Sequence, residues 1–196
     1  MTVTAAILLA GAPVPAVDDA VALLPFGDGT LVEYQVAQLR AAGVDVSEGV
    51  LGHAAERISP LVAADNVEPI VDPRWDESAA SALRVGATAV PRESVRALIV
   101  SVSAPRTAAA YRCLLDAGEA PIVRAAGDGT SGAPVVVGRE VLAEIRNLRD
   151  DAPGLLPILE RHAAVTREIA CADAATISIT SREEYARALR AFRFGE

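Results

Sequence analysis

Short apolar runs alternate with stretches of helical spacing along the whole chain. Thr2–Leu9, Val44–Leu51, Val67–Val71, Ser94–Val102, Pro121–Arg124 and Pro134–Val137 read as strands, with two more near 165–170 and 176–179. Helical patterns cover Ala54–Ala64, Ala79–Val90, about 106–117, 139–147, 153–163 and Arg182–Phe192. An earlier helix starts at Thr30, where Thr30 and Glu33 form a capping-box pattern, carries Leu31, Tyr34, Val36 and Leu39 inward, and stops at Gly43. Asp72–Ser78 reads as a loop and Gly127–Gly132 as a turn; the Gly-Asp-Gly-Thr repeated at 27–30 and 127–130 needs only two turns built from good turn residues. Strands alternating with helices predict an α/β sandwich with a mainly parallel sheet, in which ligands bind beyond the carboxyl ends of the strands.

Composition narrows this picture. The 196 residues suit a single domain, 1–196, large enough to bury about 70% of its unfolded surface. The 52% hydrophobic content is largely Ala and Val spread over the chain, with no run near the ~20 residues of a membrane span. Residues 3–10 are apolar without a preceding basic region, so a buried first strand is expected rather than a signal peptide. A net charge of −8 with scattered arginines opposes a nucleic-acid surface. Cys113 and Cys171 show neither C-x-x-C spacing nor a neighbouring His, so two mostly buried thiols in a reducing cytoplasm are expected, not a metal site or a disulfide.

The opening stretch carries a family resemblance. The apolar strand ends at Leu9-Ala10-Gly11, a loop follows, and Leu23-Leu24-Pro25-Phe26 leads to the helix at Thr30. Farther on stand Asp72-Pro73-Arg74-Trp75 ahead of a helix, Val102-Ser103-Ala104-Pro105-Arg106 after a strand, Gly132-Ala133-Pro134, and Ser178-Ile179-Thr180-Ser181-Arg182-Glu183-Glu184-Tyr185. Order and spacing resemble the MobA-like nucleotidyltransferases, which attach a nucleotide to molybdopterin, and their sugar-nucleotide relatives. The resemblance implies a three-layer α/β/α sandwich with a mixed, mostly parallel sheet in which the late strands form an antiparallel element. It also implies transfer of CMP or GMP from the NTP with Mg²⁺ and release of pyrophosphate.

The residues expected to do that chemistry are replaced. In the family the glycine-rich loop cradles a triphosphate with backbone N–H groups, an Arg and a Lys. Here Pro13 and Pro15 lack an N–H, no Arg or Lys occurs between Gly11 and Pro25, Val21 stands at the Lys position, and Asp18 and Asp19 would repel phosphate. Ser103 stands where the family's metal-binding Asp belongs, and a neutral hydroxyl is a poor Mg²⁺ ligand. The vestigial pocket implied by the alignment comprises Leu9, Ala10, Gly11, Val21, Asp72, Ser103 and Gly132, with no residue assigned to catalysis or to a metal.

Other chemistry-bearing residues read more plainly. Asp72, Asp76 and Glu77 beside Trp75 suit a solvated loop before a helix, and Asp150-Asp151 suits capping. His53 is expected to shape a loop and His162 to sit at a helix end. Arg106, Arg124 and Arg139 either line an anion pocket or are solvated. Three functions follow. The first is a degenerate MobA-like protein that binds a molybdopterin precursor, a nucleotide or a maturation partner of molybdenum hydroxylases. The second is a working transferase that uses NTP and recruits Mg²⁺ through Asp72, Asp76 or Glu77. The third is an interaction protein, a homodimer joined through Phe192 and Phe194.

Overall fold

Alternation along the first strand sets the architecture. In β1 (Thr4–Leu9), Ala6 and Leu8 enter one buried cluster while Ala5 and Ile7 enter another, so both faces of the strand are covered. The computed structural model describes residues 4–14, 20–63, 65, 67–126, 134–171 and 177–192. Its strands β1, β4 (Val46–Leu51), β5 (Val67–Val71), β6 (Arg96–Ser101), β7 (Ile122–Ala125), β8 (Val135–Gly138) and β9 (Thr166–Ile169) form one sheet in the order β5-β4-β1-β6-β8-β7-β9. All neighbours pair in parallel except β8, which runs antiparallel to both β6 and β7. The sheet is therefore mixed and mostly parallel, but the antiparallel element is β8 alone.

One face is covered by α1 (Leu31–Ala41), α2 (Ala55–Ala63), α4 (Ala108–Leu115) and α7 (Arg182–Phe192), and the other by α3 (Ala79–Ala89), α5 (Arg139–Arg146) and α6 (Leu156–Arg161). This is the expected α/β/α sandwich. Helix α3 lies so close to β1 that a Cβ on Gly86 would come within 2.4 Å of Ile7 Cγ2. The capping box holds: Glu33 N–H donates to Thr30 Oγ1 (3.4 Å) and Thr30 N–H to Glu33 Oε2 (2.8 Å). Gly43, at φ +87, follows the end of α1 as expected.

Four features depart from the sequence reading. A two-residue hairpin, β2 (Pro25–Phe26) and β3 (Gly29–Thr30), turns through Gly27 at φ +69 and delivers Thr30 to its capping position. Near 176–179 the described residues form no strand; Ile177 and Ile179 are buried, and Ile179 N–H donates to Ser103 O (2.7 Å). The helix expected over 153–163 shortens to Leu156–Arg161, preceded by Gly154 at φ +95 and followed by a 3-10 turn, Ala163–Val165. Finally, Cys113 and Cys171 are joined in a disulfide, Cα to Cα 6.0 Å, and are half-buried rather than buried thiols. Pairing of β7 with β9 brings Cys171, two residues past β9, beside α4, a proximity that 58 residues of separation conceal.

Candidate functional site

The carboxyl ends of β1, β4, β5 and β6 open into one cleft of about 360 Å³. Leu9, Gly11 and Ala12 come from the end of β1, Asp72 and Trp75 from the exit of β5, and Ser101 from β6. The start of α3 and Pro153–Leu155 close the far side. Its position at the strand ends is where an open α/β sheet binds ligands. A hollow of about 430 Å³ at the opposite end of the strands has Arg96, Glu119, Pro121, Arg139 and Glu140 in its wall, and no family landmark reaches it.

Backbone approach explains the glycines. His53 N–H donates to Gly11 O (2.9 Å), and a Cβ on Gly11 would lie 2.8 Å from Gly52 N. A Cβ on Gly52 would meet Trp75 Cβ at 2.4 Å and Gly11 O at 2.8 Å. The indole can stand at the cleft only because Gly52 lacks a side chain, while Gly11 lets the chain leaving β1 approach the backbone of Gly52. His53 is exposed, its ring 5.6 Å from that of Trp75.

Asp72 is the carboxylate of the cleft, 1% exposed. Its N–H donates to Leu51 O (2.8 Å), which extends the sheet by one residue. Oδ1 accepts from Arg74 N–H (3.0 Å) and from Ser81 Oγ (2.8 Å). Oδ2 is buried and has no hydrogen-bond partner among the described residues. Burying an acceptor without a partner is costly, and this oxygen is an unsatisfied acceptor at the wall of the cleft.

The loop after β6 is held from behind. Val102 N–H donates to Leu9 O (2.9 Å), and the Nε2 of buried Gln35 donates to Ser101 O (3.1 Å). Tyr111 OH donates in turn to Gln35 Oε1 (2.5 Å). Burial pushes the Tyr111 phenol far above its ordinary range, so it stays a donor. Ser101 Oγ and Ser103 Oγ lie 2.9 Å apart, and the pair shares one hydrogen bond.

The cleft thus gathers Leu9, Gly11 and Asp72 of the expected pocket. Ala10 is buried behind the wall, N–H to Val50 O (2.9 Å), and Ser103 sits one hydrogen bond behind Ser101. Val21 lies in a buried 3-10 turn, Val21–Leu23, and is not among the lining residues. Gly132, Pro15, Asp18 and Asp19 fall outside the described residues. The acidic trio divides, since Asp76 and Glu77 are exposed while Asp72 is buried.

Three charge assignments change. Arg106 is 3% exposed and donates to the carbonyls of Pro105 (2.9 Å) and Ile177 (3.1 Å), so it fastens two chain segments instead of lining an anion pocket or facing solvent. Arg124 pairs with Glu168. Asp150 does not cap α6, whose N-cap is Leu155. It receives both terminal nitrogens of Arg74 (2.7 and 2.8 Å) and one of Arg84 (2.6 Å), and these bonds hold its carboxyl below the usual range. With Ser78 Oγ donating to Asp150 O (2.6 Å), this ties the segment before Pro153–Leu155 to the start of α3. His162 does lie at a helix end, and its Nε2 is hydrogen-bonded to Glu144 Oε2 (2.8 Å).

Gln35, Ser81, Ser101 and Pro153–Leu155 escaped sequence reading. Only Gln35 carried a signal, a polar residue on the inward stripe of α1.

The chain matches the MobA-like NTP transferase domain over residues 6–167. It belongs to that family. No curated protein matches this MobA-like chain. Among solved structures it is similar to Rv0371c from Mycobacterium tuberculosis H37Rv, at 24% identity and a TM-score of 0.83, over 96% of this chain and 98% of the other. A complex of Rv0371c with manganese matches at 26% identity and a TM-score of 0.78, over 96% and 98%. A nucleotidyl transferase from Methanothermobacter, Mth528, matches at 18% and 0.84, over 98% and 99%.

The residues present fit a tightly held Mg²⁺ poorly. Ser103, expected at the metal position, offers a hydroxyl already bonded to Ser101, and the cleft adds one carboxylate oxygen, whereas a hard divalent ion is bound through carboxylate charge. Among the described residues no group of three or more His, Cys, Asp or Glu is placed to hold an ion.

Proposed function

We propose that this chain, acting as one domain, binds a planar nitrogen heterocycle in the cleft and has lost efficient nucleotidyl transfer. The observation that carries the reading is the buried, unpartnered Asp72 Oδ2 beside Trp75. A carboxylate oxygen accepts N–H groups, and guanine and pterin share the same amino-amide edge, so a guanine nucleotide or a molybdopterin precursor meets this requirement. The absence of Arg and Lys from Gly11 to Pro25, with Ser103 at the metal position, supports loss of the triphosphate and metal half of the reaction. In this role the protein would serve the maturation of molybdenum hydroxylases as a cofactor-precursor carrier.

Asp72→Asn tests the proposal. The side-chain oxygen can still accept from Arg74 and Ser81, while the amide turns a donor into the cleft. Guanosine binding is expected to weaken about tenfold or more with folding unchanged; equal binding by the variant would contradict the assignment. A second reading, an active Mg²⁺-dependent transferase using Asp72 Oδ2 as a metal ligand, is favoured by the manganese complex of Rv0371c. It requires pyrophosphate release from CTP or GTP that depends on the metal.

A further inference from the structure

A polar hollow of about 310 Å³ lies at the opposite end of the strands from the cleft. Thr88 at the end of α3, Arg92, Ser94 before β6, and Arg139, Leu142 and Arg146 of α5 line it. The place follows from topology. Register pairs Arg96 at the start of β6 with Gly138 at the end of antiparallel β8, so α5 starts beside the loop that carries Arg92 and Ser94. Arg139 and Arg146 are seven residues apart and therefore share one face of α5.

Three guanidinium groups thus converge in a chain of net charge −8, with no carboxylate in the lining. Arg146 is oriented in advance, because Nε donates to Ala87 O (2.7 Å) and Nη2 to Val90 O (3.3 Å) at the end of α3. Among the described residues no carboxylate pairs with Arg92 or Arg139. Ser94 is 3% exposed, and its Oγ has no hydrogen-bond partner among the described residues. A buried hydroxyl without a partner, inside a ring of like charges, is unfavourable on both counts until an anion enters. Forked guanidinium donors and a hydroxyl are the donor set that recognises a phosphate oxyanion.

We propose that this hollow is a phosphate-binding site, separate from the cleft and independent of what the cleft binds. Its occupant is inorganic phosphate, pyrophosphate, or the phosphate of a small phosphomonoester. All three offer several oxygens and multiple negative charges to Arg92, Arg139, Arg146 and Ser94.

The test is titration of the full chain with each of the three at low ionic strength, read by calorimetry and by amide shifts. At least one is expected to bind with a Kd of about 1 mM or tighter and to move the amides of Ser94 and Val95. Arg92→Ala and Arg139→Glu are each expected to weaken it about tenfold. Ser94→Ala should weaken it while leaving thermal stability without ligand unchanged or higher, since it removes an unpartnered hydroxyl. Arg92 is exposed and lies in a loop, so its variant remains informative should Arg139→Glu unfold. No binding of any of the three to the wild type, binding that survives in Arg92→Ala and Ser94→Ala, or shifts confined to the Asp72 cleft would each overturn the proposal.

Discussion

Two buried carboxylates carry opposite messages. Asp72 keeps one oxygen bonded to its own loop and leaves the other buried without a partner at the wall of the cleft, and the proposed function assigns that oxygen to a ligand. Asp72→Ala would remove the partner of Ser81 Oγ and is expected to cost about 1–3 kcal/mol in urea unfolding, beyond its effect on binding. Glu48 on β4 stands opposite Glu68 on β5, and burial, with repulsion from Glu68, pushes its carboxyl up. A carboxyl whose folded pKa is raised stabilises the fold while protonated, and that stability is lost as pH rises through the raised value. Glu48→Gln is therefore expected to raise the melting temperature at pH 7 and to lose this advantage at about pH 4 and below. A variant less stable than wild type at pH 7 would contradict the assignment. At this scale the sequence was readable where partners are close: Thr30 and Glu33 are three residues apart and their box formed as expected. Gln35 with Tyr111 and Arg74 with Asp150, each separated by 76 residues, were hidden because a side chain's partner across the fold leaves no local pattern.

Elements were more legible than sites. Apolar runs bounded by turn residues located the strands, and Val67–Val71 and Arg182–Phe192 kept their expected ends. What failed was length and pairing. Ile177 and Ile179 alternate like a strand yet gain burial under α7 without a ladder, so the alternation reported burial rather than pairing. The hairpin of β2 and β3 is too short for any period to show. The contact between α3 and β1 depends on a missing side chain. Gly86→Ala places a Cβ 2.4 Å from Ile7 Cγ2 and 3.0 Å from Val50 Cγ2, and is expected to cost about 1–3 kcal/mol by overpacking despite the higher helix propensity of Ala. A variant as stable as wild type in denaturant melts would show that α3 can shift outward freely.

For the whole molecule, the cleft and the arginine-lined hollow lie at opposite ends of the sheet's strands, and the disulfide fastens α4 to the chain leaving β9, with neither cysteine in either lining. Its pairing removes the buried-thiol argument on which a reducing cytoplasm rested. Reduction, or Cys113→Ser, is expected to lower stability by about 2–4 kcal/mol by releasing the closed loop in the unfolded chain, without changing ligand binding at the cleft. Among the described residues no helix is long and apolar enough to cross a membrane. Membership in the MobA-like family gives the frame, and the function proposed above treats the cleft as a pocket that outlived its chemistry. Calorimetric titration of GTP and of guanosine, each with and without Mg²⁺, tests that claim most directly. Affinities within about tenfold of each other and unchanged by Mg²⁺ are expected, because the base carries the contact to Asp72. GTP binding that is far tighter than guanosine and requires Mg²⁺, or no binding of either, would contradict the account.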